Sequence, residues 1–201
     1  MTETIRRPSQ RLRRLPLAAF ALVLAAVVAL FVSGCGSSDS DTTGSGEGLR
    51  VVATTNIVGD LATVIGGDDA QVTSRMEAGV DPHLYKATAG DIDTLRESEL
   101  VFYGGLHLEG KMDEIFEEMS RTRPTVAVTR DIPEDRLITV DGDHDPHIWF
   151  DVDLWAIAAR TVTDAYREAD PDNAAAYEDR YETYVAELDG LTSRFEAAVS
   201  T

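Results

Sequence analysis

Short apolar runs alternate with amphipathic stretches along most of the chain. Leu49-Arg50-Val51-Val52-Ala53-Thr54-Thr55 is apolar over the length of a strand and predicts a buried first strand. Asn56 is placed to cap a helix running to about Ile65, where Gly66-Gly67 stops it. Ala70 to Met76, Leu100 to Tyr103 and Thr125 to Val128 read as three further strands. Helices over Thr88 to Ser98 and Leu108 to Ser120 separate them. This alternation predicts an α/β domain built on a parallel sheet. In such sheets ligands gather beyond the carboxyl ends of the strands. His83, after the second strand, and His107, after the third, therefore fall on one rim.

The pattern changes after Asp131. Asp141-Gly142-Asp143-His144-Asp145-Pro146-His147 reads as a polar loop. A helix follows from Asp151 or Asp153 to about Glu168, and Asp170-Pro171 opens another with proline in its first turn. The apolar positions of that last helix are Tyr177, Tyr181, Tyr184, Leu188, Leu191, Phe195 and Val199, in steps of three and four. Such a narrow stripe packs along another surface. Residues 172–200 would span roughly 43 Å as one helix. The stripe is still in step at Thr201, which reads as a sequence cut before a further domain.

The first residues follow a different pattern. Arg6, Arg7, Arg11, Arg13 and Arg14 precede an apolar run from Leu15 to Val32, and Ser33-Gly34-Cys35 follows. A basic start, an apolar middle and small residues before a cut describe a secretory signal over residues 1–34. Ser33-Gly34-Cys35 resembles the bacterial lipobox, in which the cysteine is acylated and becomes the new N-terminus. Cys35 is thus the expected lipidation site. Residues 35–48, rich in Gly, Ser and Asp, read as a flexible tether. Residues 49–168 make the α/β lobe and residues 169–201 the long helix. Cys35 is the only cysteine, so neither an intrachain disulfide nor a cysteine-based zinc site can form.

The formal net charge is −18. The first 34 residues carry five arginines and one glutamate, a net of +4, which leaves −22 on the rest. Such a surface excludes nucleic acid as a partner, since that binding rests on cations meeting phosphates. It favours cations and solubility.

The chain has four histidines: His83, His107, His144 and His147. Two of them end the same tripeptide, Asp81-Pro82-His83 and Asp145-Pro146-His147. Each proline stiffens its turn and fixes the approach of the imidazole. Imidazole is the commonest metal ligand, and a neighbouring carboxylate can orient it. A lone loop histidine is usually a surface residue, but a repeated, stiffened Asp-Pro-His suggests a metal site. Asp81, Asp145 and His107 are candidates for the cleft around it. His144 sits in an acidic loop and reads as solvated. Trp149 and Trp155 read as packing residues. Glu109 reads as a carboxylate near the site or a helix-start acid, and Asp151 as the latter.

Three blocks carry a resemblance. They are Val80-Asp81-Pro82-His83-Leu84-Tyr85-Lys86-Ala87-Thr88-Ala89-Gly90-Asp91, Tyr103-Gly104-Gly105-Leu106-His107-Leu108-Glu109-Gly110-Lys111-Met112, and Asp145-Pro146-His147-Ile148-Trp149-Phe150-Asp151-Val152. Together they resemble the zinc/manganese solute-binding lipoproteins of bacterial ABC transporters. The resemblance implies two α/β lobes joined by one long rigid helix, with Zn2+ or Mn2+ held between them. It makes His83 and His147 the ligands of the first lobe and the Tyr177–Val199 stripe the connecting helix. It also implies a membrane permease as partner, a lipid anchor on the extracytoplasmic face of the cell membrane, and no enzymatic activity. The two ligands that the family draws from its second lobe have no counterpart here. Two rival readings stay open on the residues alone. One is a zinc metallohydrolase using His83, His147 and an activated water, although no HExxH motif is present. The other is an adhesin-like surface lipoprotein.

Overall fold

The computed structural model describes residues 48–200. The signal segment, Cys35 and nearly all of the tether lie outside the described residues. Four parallel strands form the central sheet: β1 (Leu49–Thr55), β2 (Ala70–Met76), β3 (Leu100–Tyr103) and β4 (Thr125–Ala127), in spatial order β2-β1-β3-β4. The parallel α/β architecture expected from the alternation is therefore the observed one. Each central strand buries both faces. Val51, Ala53, Leu100 and Phe102 point into one apolar cluster, while Val52 and Val101 point into the other. That period of two is what a sheet covered on both sides requires.

The helices form the two covers. α1 (Asn56–Gly66), α4 (Val152–Ala169) and α5 (Ala174–Val199) share the first cluster, through residues such as Leu61, Ile65, Trp155, Tyr166 and Tyr177. α2 (Ala89–Glu97) and α3 (Asp113–Ser120) supply Leu95, Phe116 and Met119 to the second. The chain leaves β1 for one cover and β2 for the other, so the winding reverses beside β1. Loops at the carboxyl ends of the strands diverge at such a point and open a crevice.

Local chemistry sets most boundaries, with four departures from the sequence expectation. Thr55, not Asn56, caps α1: its hydroxyl accepts the Val58 N–H at 3.3 Å. Helix α3 starts at Asp113 rather than Leu108. Leu106 and His107 adopt left-handed backbone (φ 50° and 60°), and the next five residues form turns that drive Leu108, Glu109 and Met112 inward. The loop after Asp131 contains a two-stranded hairpin, β5 (Thr139–Val140) with β6 (Asp143–His144). Asp141 and Gly142, at φ 56° and 99°, make its turn, a geometry that Asp-Gly favours. Finally, Pro171–Asn173 forms a separate 3-10 turn before α5.

α5 is 26 residues long, about 39 Å. Its first half is held firmly. Tyr177 is fully buried and stacks on Tyr166, with centroids 4.9 Å apart. The Arg180 guanidinium donates to the Ile65 carbonyl at 2.6 Å and to Asp69 at 2.8 Å. Arg160 on α4 pairs with both Asp164 and Glu178. In the second half the stripe emerges: Leu191, Phe195 and Val199 are exposed. Among the described residues no helix is long and apolar enough to cross a membrane.

Candidate metal centre

The two Asp-Pro-His tripeptides fold alike. Asp81 Oδ1 accepts the backbone N–H of His83 at 3.0 Å, and Asp145 Oδ1 accepts that of His147 at 3.0 Å. Each aspartate thus closes a turn across its proline, which donates nothing and holds φ near −65°. The first turn stands between β2 and α2. The second stands between β6 and the 3-10 turn Ile148–Phe150, where buried Ile148 anchors it.

These turns bring together two side chains 64 residues apart. His83 Nε2 lies 3.4 Å from His147 Nε2, with both residues exposed. The rings are tilted at 56° with centroids 5.4 Å apart. Asp145 does more than close its turn, because its Oδ1 also lies 2.6 Å from His147 Nδ1. An ionised carboxylate only accepts, so this contact calls for a proton on Nδ1, and in the neutral ring Nε2, on the side of His83, is then the nitrogen with the lone pair. The backbone and ring of His147 in turn hold the Asp145 carboxyl below the usual carboxylate range. Trp149 stands edge-on to the His147 ring, 5.2 Å away at 73°.

The His83 turn rests on residues that the sequence reading did not single out. Asp91, at the start of α2, is buried. It accepts the Tyr85 hydroxyl at 2.7 Å and both the N–H and the hydroxyl of Thr88 at 2.8 Å. The Arg75 guanidinium of β2 pairs with its other oxygen. Burial opposes ionisation of this carboxyl, but the bonds from Tyr85, Arg75 and Thr88 prevail and hold it well below its ordinary range. Thr88 and Asp91 form a reciprocal capping box, a spacing visible in the sequence.

His107 stands apart from the pair. Its Nδ1 lies 2.7 Å from Asp113 Oδ2, and its side chain is 80% exposed. It lines a hollow of about 590 Å³ that also includes His144 and Thr129. His144 lies on β6, 3.5 Å from Glu134. Asp151 caps α4, accepting from Asp153 and Leu154 N–H groups. Glu109 is not a helix-start acid. It is buried, with Oε1 accepting the Thr54 hydroxyl at 2.5 Å and the Gly104 N–H at 2.8 Å, so it ties the ends of β1 and β3 together. Burial pushes its carboxyl above the ordinary value.

Residues 51–201 match the family described as "Zinc-uptake complex component A periplasmic". The manganese-binding lipoprotein MntA of Bacillus subtilis is 39% identical over 173 residues, covering 85% of this chain and 56% of that protein. The zinc-binding protein TroA of Treponema pallidum is 38% identical over 162 residues, covering 80% and 52%. The solved structure of the periplasmic zinc-binding protein TroA superposes with a TM-score of 0.71 at 36% identity, over 73% of this chain and 53% of that one. A manganese-bound periplasmic metal-binding protein from Candidatus Liberibacter asiaticus gives 0.65 at 27% identity, over 74% and 57%. The chain spans about half the length of the relatives it matches. The parallel sheet, the long helix α5 and the match across nearly all described residues lead to one assignment: the chain belongs to the zinc-uptake complex component A family.

Proposed function

We propose that this chain captures a divalent transition metal, Zn2+ or Mn2+, through His83 Nε2 and His147 Nε2, outside the cytoplasm, for delivery to an ABC-transporter permease. The observation that carries the reading is the 3.4 Å separation of the two Nε2 atoms. Two imidazole nitrogens on a tetrahedral zinc, at about 2.0–2.1 Å each, stand about 3.4 Å apart. Asp145 fixes the tautomer of His147 that such a ligand needs, as a carboxylate behind a metal-bound histidine does elsewhere. The relatives' names, which include zinc-binding and manganese-binding proteins, support the cargo class. Nitrogen ligands suit zinc, and more oxygen ligands would shift the preference toward manganese.

In this reading Cys35 carries the lipid, and residues 36–48 keep the lobe near its permease, raising its effective concentration there. Two imidazoles leave other positions on the metal open to further ligands.

Isothermal titration of the chain with Zn2+ tests the assignment. Binding is expected at about one site, and His83→Ala and His147→Ala are each expected to abolish it. Unchanged binding by either variant overturns the site.

A further inference from the structure

His83 sits on a segment with little internal support. Residues 80–88 contain no helix or strand. Before Thr88, whose carbonyl accepts the Ile92 N–H of α2, their backbone hydrogen bonds are Val80 N–H to Glu77 carbonyl, Leu84 N–H to Asp81 carbonyl and Tyr85 N–H to Pro82 carbonyl, at 3.1–3.4 Å, all of them local. The His83 N–H bond to Asp81 is equally local. These bonds shape a turn without fixing it to the body of the protein. Leu84, beside the histidine, is 70% exposed.

The fixing comes from Tyr85. Its ring is partly buried against the second apolar cluster, and its hydroxyl donates to Asp91 Oδ2 at 2.7 Å. Asp91 is itself buried and bonded on both carboxylate oxygens. Arg75 of β2 donates to one oxygen, the Thr88 N–H and hydroxyl both donate to the other, and the Asp91 backbone N–H donates back to the Thr88 hydroxyl oxygen at the start of α2. The strand before the loop and the helix after it therefore meet at one buried carboxylate, and Tyr85 pins the middle of the loop to the same point.

We propose that Tyr85 and Asp91 are positioning residues for His83: the tyrosine hydroxyl tethers the turn so that His83 Nε2 is held facing His147 Nε2. The proposal rests on the metal-capture reading for its purpose, but the tether itself can be measured without metal. Metal sites tolerate displacements of only a few tenths of an ångström in ligand distance. Removing groups that orient a ligand weakens metal affinity by roughly 10–100-fold.

Tyr85→Phe is the clean variant. It removes the hydroxyl alone, and Asp91 keeps its bonds from Arg75 and Thr88, so no buried charge is stranded. Tyr184→Phe is the comparator. It removes a hydroxyl that accepts the Trp155 indole N–H at 2.8 Å, between α4 and α5. The full chain, Tyr85→Phe and Tyr184→Phe are titrated with Zn2+ against a competing chromophoric chelator, and their melting temperatures are recorded. Amide exchange at residues 80–86 is followed without metal. Tyr85→Phe is expected to weaken zinc about tenfold and to speed exchange at residues 80–86, with a melting temperature within a few degrees of the parent. Tyr184→Phe is expected to leave zinc affinity within twofold, whatever it does to melting. Parent-like affinity and exchange in Tyr85→Phe, or an equal affinity loss in both variants, overturns the positioning role. If the parent chain itself binds no zinc, the metal reading fails, and exchange at residues 80–86 alone decides the tether: faster in Tyr85→Phe upholds it, unchanged overturns it.

Discussion

Asp145 grips His147 twice with a single oxygen, at the backbone N–H (3.0 Å) and at ring Nδ1 (2.6 Å). Asp81 grips His83 only at the backbone N–H. The two tripeptides are identical in sequence but not in their second role, and this asymmetry is testable. Asp145→Ala frees both the turn and the tautomer of His147 and is expected to weaken zinc binding roughly 10–100-fold. Asp145→Asn keeps an oxygen that can accept both bonds, so its loss should be smaller. Asp81→Ala loosens a turn alone and should cost less than Asp145→Ala. Chelator competition on the three variants gives the order, and Asp81→Ala proving the more damaging would refute this account of the asymmetry.

Glu109 carries a pH signature. Burial raises its folded-state pKa above the unfolded value near 4.3, so the folded protein binds a proton there more readily than the unfolded chain. Its favourable contribution is fully present below about pH 4 and is lost as pH rises through the folded pKa. Glu109→Gln removes that titration. Urea unfolding at pH 4, 5.5 and 7 should show the parent's advantage over Glu109→Gln largest at pH 4 and narrowing toward pH 7. A constant difference would mean that Glu109 titrates normally. Glu109→Ala also leaves the Thr54 hydroxyl and the Gly104 N–H without this acceptor, and is expected to cost about 1–3 kcal/mol.

That residue also marks where the sequence stopped being informative. The bounds of β1 and β3 were legible because each is a mostly apolar run of four to seven residues with both faces buried, whereas β2, at the sheet edge, begins by alternating half-buried and exposed positions. The start of α3 was not legible. Leu108, Glu109 and Met112 have helical spacing, yet they serve a turn whose shape depends on Glu109 reaching Thr54, 55 residues earlier. No local pattern encodes that distance. The β5–β6 hairpin has strands of two residues, too short to show alternation, although Asp141-Gly142 announces its turn. For the site, the repeated Asp-Pro-His singled out His83 and His147, and the fold brings their Nε2 atoms to 3.4 Å from one another. His107, expected on the same rim after β3 as a residue of the cleft, has left-handed backbone and bonds Asp113 instead. The clamp of Asp91 on Tyr85 was foreshadowed only by the Thr88-to-Asp91 capping spacing.

The last prediction concerns what holds the long helix to the lobe. Tyr177 is the only fully buried member of its stripe among the described residues. Its ring lies nearly parallel to Tyr166 (16°), its hydroxyl donates to Asp170 at 2.7 Å, and the Arg180 guanidinium lies 5.1 Å from its centroid. Tyr177→Ala removes the ring and opens a cavity against Tyr166, so it is expected to cost about 3–5 kcal/mol. Tyr177→Phe removes only the hydroxyl. Asp170 retains the Asn173 side-chain donor at 2.8 Å, so the cost should be about 1 kcal/mol. Urea unfolding monitored by circular dichroism separates the two. Because Tyr177 joins α5 to α4 and, through Tyr166, to the Ala62 carbonyl of α1, the Ala variant should lose the cooperativity between helix and sheet as well as stability. A cost below about 1 kcal/mol for Tyr177→Ala would show that Arg180 and Arg160 suffice to hold the helix, and that the stack is incidental to its attachment.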